Sequence, residues 1–242
     1  GVQTCALPIW FVLEEDFLQA LTKEIDIIFL CNPNNPTGLL VEKPLLEKIL
    51  KRCQELDILM AVDECFLDFV PSPEKYTLKE YLETYDNLFL LKAFTKRYAM
   101  AGVRLGYGLC GNKGLLRKME GVCQPWNVSS MAQAAGLAAL QEREYVEKGR
   151  QVTFQELAYL KEELAALGYP VYPSQANYVF FTGPADLYEK LEQKKILIRD
   201  CSNYTGLSKG YYRVAVKKHE ENQQLVRALK EIDRTKVENV IL

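Results

Sequence analysis

Ile25-Asp26-Ile27-Ile28-Phe29-Leu30-Cys31-Asn32-Pro33-Asn34-Asn35-Pro36-Thr37-Gly38 runs a short apolar segment straight into a polar turn bracketed by prolines. An apolar run of this length, bounded by turn residues, reads as a strand buried on both faces. The same transition recurs twice. Ile58–Cys65 is a second such run, closing on Asp63-Glu64-Cys65-Phe66, and Leu88–Phe94 is a third, giving way to Thr95-Lys96-Arg97-Tyr98. Ala101-Gly102-Val103-Arg104 then leads into a fourth strand, Arg104–Cys110. Between the first two strands, Leu45, Leu46, Ile49, Leu50, Cys53 and Leu56 fall on one face of a helix over Pro44–Leu56. Strands alternating with helices make an α/β fold, a mostly parallel sheet with helices on both faces. Ligands of such sheets bind beyond the carboxyl ends of the strands, so the polar residues standing there are the candidate site.

Outward from this centre, Glu14–Glu24 and Leu78–Thr84 read as short helices. Val128–Gly168 is helix-compatible almost throughout, with a break near Arg143–Gly149. Beyond Pro170, strands are expected over Ala176–Thr182, Ile196–Cys201 and Tyr211–Val216, with helices over Asp186–Lys194 and Glu220–Ile232. That pattern makes a smaller α+β domain. The expected organisation is residues 10–168 as a large domain with long interdomain helices and 169–242 as the small C-terminal domain. Residues 1–9 (GVQTCALPI) have neither period nor turn logic and are set aside as non-native, the true N-terminal part being expected to be missing.

Composition narrows the chemistry. With 242 residues, 48% hydrophobic and 26% charged, the chain is an ordinary globular one. Thirty basic against thirty-two acidic side chains leave a net charge of −2, so neither nucleic acid nor a membrane is expected as partner and a small molecule is favoured. The seven cysteines form no C-x-x-C pair, and the chain has no apolar run of membrane-spanning length and no signal peptide, so a cytoplasmic protein is expected. The single histidine, His219, removes Ser-His and Cys-His nucleophiles and any His-rich metal site; no metal is expected.

Each strand-end feature taken alone has an ordinary reading: a proline-fixed turn, a capping aspartate, a solvated lysine. Their fixed order is what carries weight. Together N-P-T-G, D-E-x-F, T-K and G-x-R resemble the class I/II aminotransferase superfamily, the fold-type I enzymes that use pyridoxal 5'-phosphate, from about Phe11 to the C-terminus. The resemblance implies the PLP-dependent transferase-like fold and a homodimer. It implies that Lys96 is the catalytic amine that attaches to the cofactor aldehyde and later shuttles a proton. It also implies that Asp63 pairs with the pyridine nitrogen and Asn35 with the ring oxygen. Thr95 and Arg104 would bind the phosphate, a hydroxyl and a two-pronged guanidinium suited to a dianion. Arg213, in Tyr211-Tyr212-Arg213-Val214-Ala215-Val216, would clamp the substrate carboxylate, with Arg199 and Asn35 also on the substrate. Phe66 and Ala93 depart from the pattern, because many relatives carry hydroxyls at these positions. Ile198–Leu207 (IRDCSNYTGL) resembles the threonine-phosphate decarboxylase branch, which serves cobalamin synthesis. The histidinol-phosphate aminotransferase branch is the alternative, and a catalytically incomplete fragment a second one. The expected substrate is a phosphorylated amino acid.

Overall fold

The computed structural model describes residues 2–4 and 12–240, with side chains for 12–233. The chain divides into two compact units, Gly1–Asn34 with Leu40–Lys148 and Asn35–Leu39 with Gly149–Leu242. No helix among the described residues is long and apolar enough to cross a membrane.

The first unit is built on a five-stranded sheet in the order β1 (Val2–Thr4), β2 (Ile27–Cys31), β3 (Leu59–Asp63), β4 (Leu88–Ala93) and β5 (Gly106–Cys110). The first four strands are parallel and β5 is antiparallel to β4. Residues 1–9, set aside above, supply the edge strand, Val2–Thr4 pairing with Ile27–Phe29. Between β2 and β3 runs α2 (Lys43–Glu55), started by a proline in its first turn. It buries Leu46, Ile49, Leu50 and Cys53 against Ile28, Leu30, Met60, Val62, Leu88 and Leu90 on one face of the sheet. Both sets follow the expected periods of 3.6 and 2. The segment expected as a helix over Glu14–Glu24 contains only one turn, α1 (Phe17–Ala20), and Leu78–Thr84 contains only a 3-10 turn, Lys79–Tyr81. Both are too short to nucleate a longer helix without packing.

Two helices follow β5. The first, α4 (Lys113–Val122), was not foreseen; its N-terminus is capped by Asn112, whose Oδ1 accepts from Leu115 N at 2.9 Å. The second, α5 (Ser130–Ala139), is capped by Ser129 in the same way. Between β4 and β5 lies α3 (Phe94–Arg97), a single turn.

The second unit begins within α6 (Arg143–Ala166), earlier than the expected boundary at 168/169. The reason is packing: Leu157, Leu160 and Leu164 of α6 belong to the core of this unit, with Val179, Phe181, Tyr212, Val226 and Leu229. The break between helices falls at 140–142, just before the expected position. A three-stranded antiparallel sheet follows in the order β6 (Tyr178–Thr182), β8 (Tyr211–Ala215), β7 (Arg199–Asp200), with α7 (Leu187–Gln193) and α8 (His219–Val240) around it.

Candidate active site

In the first unit the parallel register puts Cys31, Asp63 and Leu91 side by side at the carboxyl ends of β2, β3 and β4. Because β5 runs the other way, its first residue, Gly106, pairs with Ala93, the last residue of β4. The antiparallel strand therefore brings Arg104 to the same end of the sheet as Asp63, and α3 places Thr95 and Lys96 there as well. The loops after β3 and β4 meet directly. Arg97 Nη1 bonds Asp68 Oδ1 at 2.7 Å, and Lys96 Nζ stands 5.4 Å from the Phe66 ring centroid. Asp63 is half-buried, and its Oδ1 accepts from Cys65 N at 2.9 Å, which turns the carboxylate over the strand end. Burial, the hydrogen bond to Asp63 and the Asp63 charge together push the Cys65 thiol up to about 12, so this cysteine is held as a neutral spacer. Lys96 and Arg104 are exposed and Thr95 is half-buried. Arg104 has a left-handed backbone, φ 57°, and its Nη1 donates to Ala101 O at 3.1 Å, closing its own loop.

Beneath this row lies a buried ion pair, Lys92 Nζ to Glu64 Oε2 at 2.8 Å, with Glu64 fully buried. Thr77 Oγ1 and Leu78 N also donate to the Glu64 carboxylate, so both of its oxygens have a partner. Neither residue was singled out from the sequence. A carboxylate beside a candidate catalytic one gives no sign of which is buried. On the other side, Asn32 anchors the N-P-N-N-P-T-G turn: its buried amide accepts from Val41 N at 2.9 Å and donates to Tyr76 O at 3.3 Å.

The second unit collects the remaining candidates. Asn35 belongs to it because the segment Asn35–Leu39 is tied to the loop before β6, where Gln175 N donates to Gly38 O at 2.8 Å. Gly38 has φ +73°, and a Cβ there would lie 1.8 Å from Ser174 Oγ, so only glycine fits. Arg213 Nη1 donates to Asn35 Oδ1, and Tyr204 OH donates to the same oxygen at 3.3 Å. Arg199 and Arg213 are register partners across β7 and β8 and so share one face of the sheet. Each guanidinium lies against an aromatic ring: Arg213 is 5.0 Å from the Tyr178 centroid and Arg199 is 5.8 Å from that of Tyr204. Arg199 Nη2 also donates to Asn203 Oδ1 at 3.0 Å. Like charges placed directly opposite on a sheet are unfavourable unless an anion lies between or beside them. The two guanidiniums stand on one face of the sheet, each held by an aromatic ring and an amide oxygen. Arg199, Asn35 and Arg213 are thus brought together, and Tyr204 joins them without having been given a role from the sequence. No local pattern could have pointed to a contact spanning most of the chain.

Comparison with known proteins places this geometry among relatives. Residues 8–229 match the model of aminotransferase class I and II. Threonine-phosphate decarboxylase of Salmonella typhimurium is 36% identical over 239 residues, covering 94% of this chain and 65% of that protein. Histidinol-phosphate aminotransferase of Methanococcus aeolicus is 32% identical, covering 92% of this chain and 62% of that protein. The chain thus spans somewhat under two thirds of the length of these curated relatives. Among solved structures, histidinol-phosphate aminotransferase from Clostridium acetobutylicum superposes with a TM-score of 0.89 at 29% identity over 95% of this chain and 70% of that one. L-threonine-O-3-phosphate decarboxylase from Porphyromonas gingivalis gives 0.75 at 25% identity over 86% of this chain and 65% of that one.

Proposed function

The chain belongs to the aminotransferase class I and II family, and from that premise we propose that the protein carrying it is a pyridoxal-phosphate enzyme acting on a phosphorylated amino acid, an L-threonine-O-3-phosphate decarboxylase. The observation that supports the substrate class is the cross-strand pair Arg199 and Arg213, with Arg213 bonded to Asn35. A carboxylate and a phosphate on one substrate would each suit one guanidinium of this pair. The similarity to the Salmonella enzyme favours decarboxylation.

The donor set of the first unit fits the cofactor. An exposed amine (Lys96), a half-buried carboxylate (Asp63), a hydroxyl (Thr95) and a guanidinium (Arg104) all stand at one end of the sheet. When bound, pyridoxal phosphate supplies an aldehyde that condenses with amines and a protonated ring that accepts the electron pair released at the substrate α-carbon. The chain's residues do the rest. Lys96 would hold the cofactor by its amine and would carry a proton to or from the substrate α-carbon. Asp63 keeps the ring nitrogen protonated. Thr95 and Arg104 hold the phosphate, and Asn35 donates from Nδ2 to the ring oxygen. Arg213 binds the substrate carboxylate and Arg199 its second anionic group. Which α-carbon bond breaks depends on which one the clamp sets perpendicular to the ring. The structural similarity to the Clostridium aminotransferase favours a second reading, amino transfer from a phosphorylated amine such as histidinol phosphate. Carbon dioxide release from threonine phosphate without a keto acid supports the first reading; keto-acid-dependent amino transfer from histidinol phosphate supports the second. We further propose a homodimer, supported by Val122, Trp126 and Met131, which are 85%, 95% and 83% exposed. Sedimentation at a single molar mass equal to the monomer contradicts it.

A further inference from the structure

The side-chain oxygen of Asn35 has two donors directed at it, Arg213 Nη1 and Tyr204 OH. A guanidinium carries five donors and no acceptor, so the amide atom facing Arg213 is the oxygen and not the nitrogen. With Oδ1 turned to both donors, Nδ2 is the atom the amide presents to a ligand. We propose that Tyr204 is a positioning residue that keeps the Asn35 amide in this orientation, so that Nδ2 stays a donor to an oxyanion of the ligand. The inference rests on the reading of the preceding subsection.

The reason for a second donor lies in the other duties of Arg213. Its guanidinium stacks on Tyr178 and faces Arg199 across the strands, where a substrate anion belongs. When Arg213 turns its fork toward a carboxylate, its bond to Asn35 weakens, and an amide held by Arg213 alone becomes free to turn over. Tyr204 has no such competing task. It sits in a tight turn, with Tyr204 N donating to Cys201 O at 3.1 Å and Leu207 N to Tyr204 O at 3.0 Å. Its ring rests against Arg199, which is itself tied to Asn203. The hydroxyl is therefore delivered by a fixed element whether or not Arg213 is engaged, and the amide keeps one orientation through the catalytic cycle.

The test uses Tyr204→Phe, which keeps the ring and its contact with Arg199 and removes only the hydroxyl. A donor on the ring oxygen of the cofactor competes with the proton on the nitrogen linking it to Lys96, so that proton leaves more easily. Losing the donor makes the nitrogen hold its proton more tightly. The protein is loaded with pyridoxal phosphate and the visible absorbance of the lysine-linked cofactor is titrated with pH. The midpoint of Tyr204→Phe is expected to move upward, in the same direction as Asn35→Ala, by about threefold to tenfold in proton affinity, the worth of one hydrogen bond. In the Asn35→Ala background, Tyr204→Phe is expected to add nothing, because the hydroxyl acts only through Asn35. Replacing Tyr204 by para-aminophenylalanine, which restores a donor at the same place, returns the wild-type midpoint and serves equally if the phenylalanine variant folds poorly. A Tyr204→Phe midpoint equal to wild type, or a shift that adds fully to that of Asn35→Ala, overturns the inference while leaving the cofactor reading intact. A wild-type protein with no borohydride-sensitive visible absorbance overturns the cofactor reading, and this inference with it.

Discussion

The roles proposed for Arg213 and Lys96 are ones that single substitutions separate. On the proposed reading, Arg213→Ala removes a charge-assisted contact to the substrate carboxylate, worth about 1.5–3 kcal/mol. The expected result is a rise in KM for threonine phosphate of roughly ten- to a hundredfold, with the cofactor still attached to Lys96; steady-state kinetics beside an absorbance spectrum measure both. The cysteines offer a second check at this scale, because burial raises the thiols of Cys53 and Cys65 to about 12 and that of Cys201 to about 11. Since the thiolate is the reactive form, these three stay slow toward iodoacetamide in mildly alkaline solution, and exposed Cys123 is alkylated first. Peptide mapping of a timed reaction reads the order, and early labelling of Cys65 contradicts the half-buried, Asp63-bonded thiol. At the level of residues the sequence was most informative where chemistry needs a particular side chain in a fixed order along the chain. Asp63, Thr95, Lys96 and Arg104 all stand at one sheet end, as the motif order implied. Tyr204 was legible only as part of a resemblance, since its partner Asn35 lies in a distant turn.

Elements were legible where periodicity is strong and long. The apolar face of α2 and the runs that became β2, β3 and β4 emerge within a few residues of the expected bounds, because burial on one or both faces leaves little choice of register. Glu14–Glu24 shrank to one turn although Leu13, Phe17 and Leu21 repeat at helical spacing; Leu21 is buried, and Leu13, Phe17 and Leu18 pack against the same core. Helix α4 went unforeseen although Leu115, Leu116, Met119 and Val122 repeat at helical spacing behind the Asn112 cap; none of its residues is buried. Two joints are testable. Gly38→Ala combines a left-handed backbone with a collision against Ser174 and should cost about 2–4 kcal/mol, read from the denaturation midpoint. Lys92→Met strands the buried Glu64 carboxylate between β3 and β4 and should cost about 3–5 kcal/mol, while adding Glu64→Gln recovers part of the loss. An additive double variant would show that the two side chains do not act as a pair.

Over the whole molecule there are two separate cores among the described residues, one under the parallel sheet and one around the antiparallel sheet. What sequence order could not supply is where the units divide. The turn Asn35–Leu39 is recruited by the second unit and the later part of α6 joins its core, both through contacts distant in sequence. Trp126 is exposed, whereas Phe17 packs against the core of the first unit. In a protein carrying this surface uncovered, peroxide oxidises Met131 well before buried Met60, and protection of Met131 at high protein concentration marks association through it. The account turns on one amine among many lysines, and the most direct measurement identifies it. The protein is incubated with pyridoxal phosphate, reduced with borohydride, digested and mapped by mass spectrometry. The account predicts a single stoichiometric phosphopyridoxyl label on Lys96, absent from Lys96→Ala; a label spread over surface lysines, or one that persists at full stoichiometry in Lys96→Ala, contradicts it.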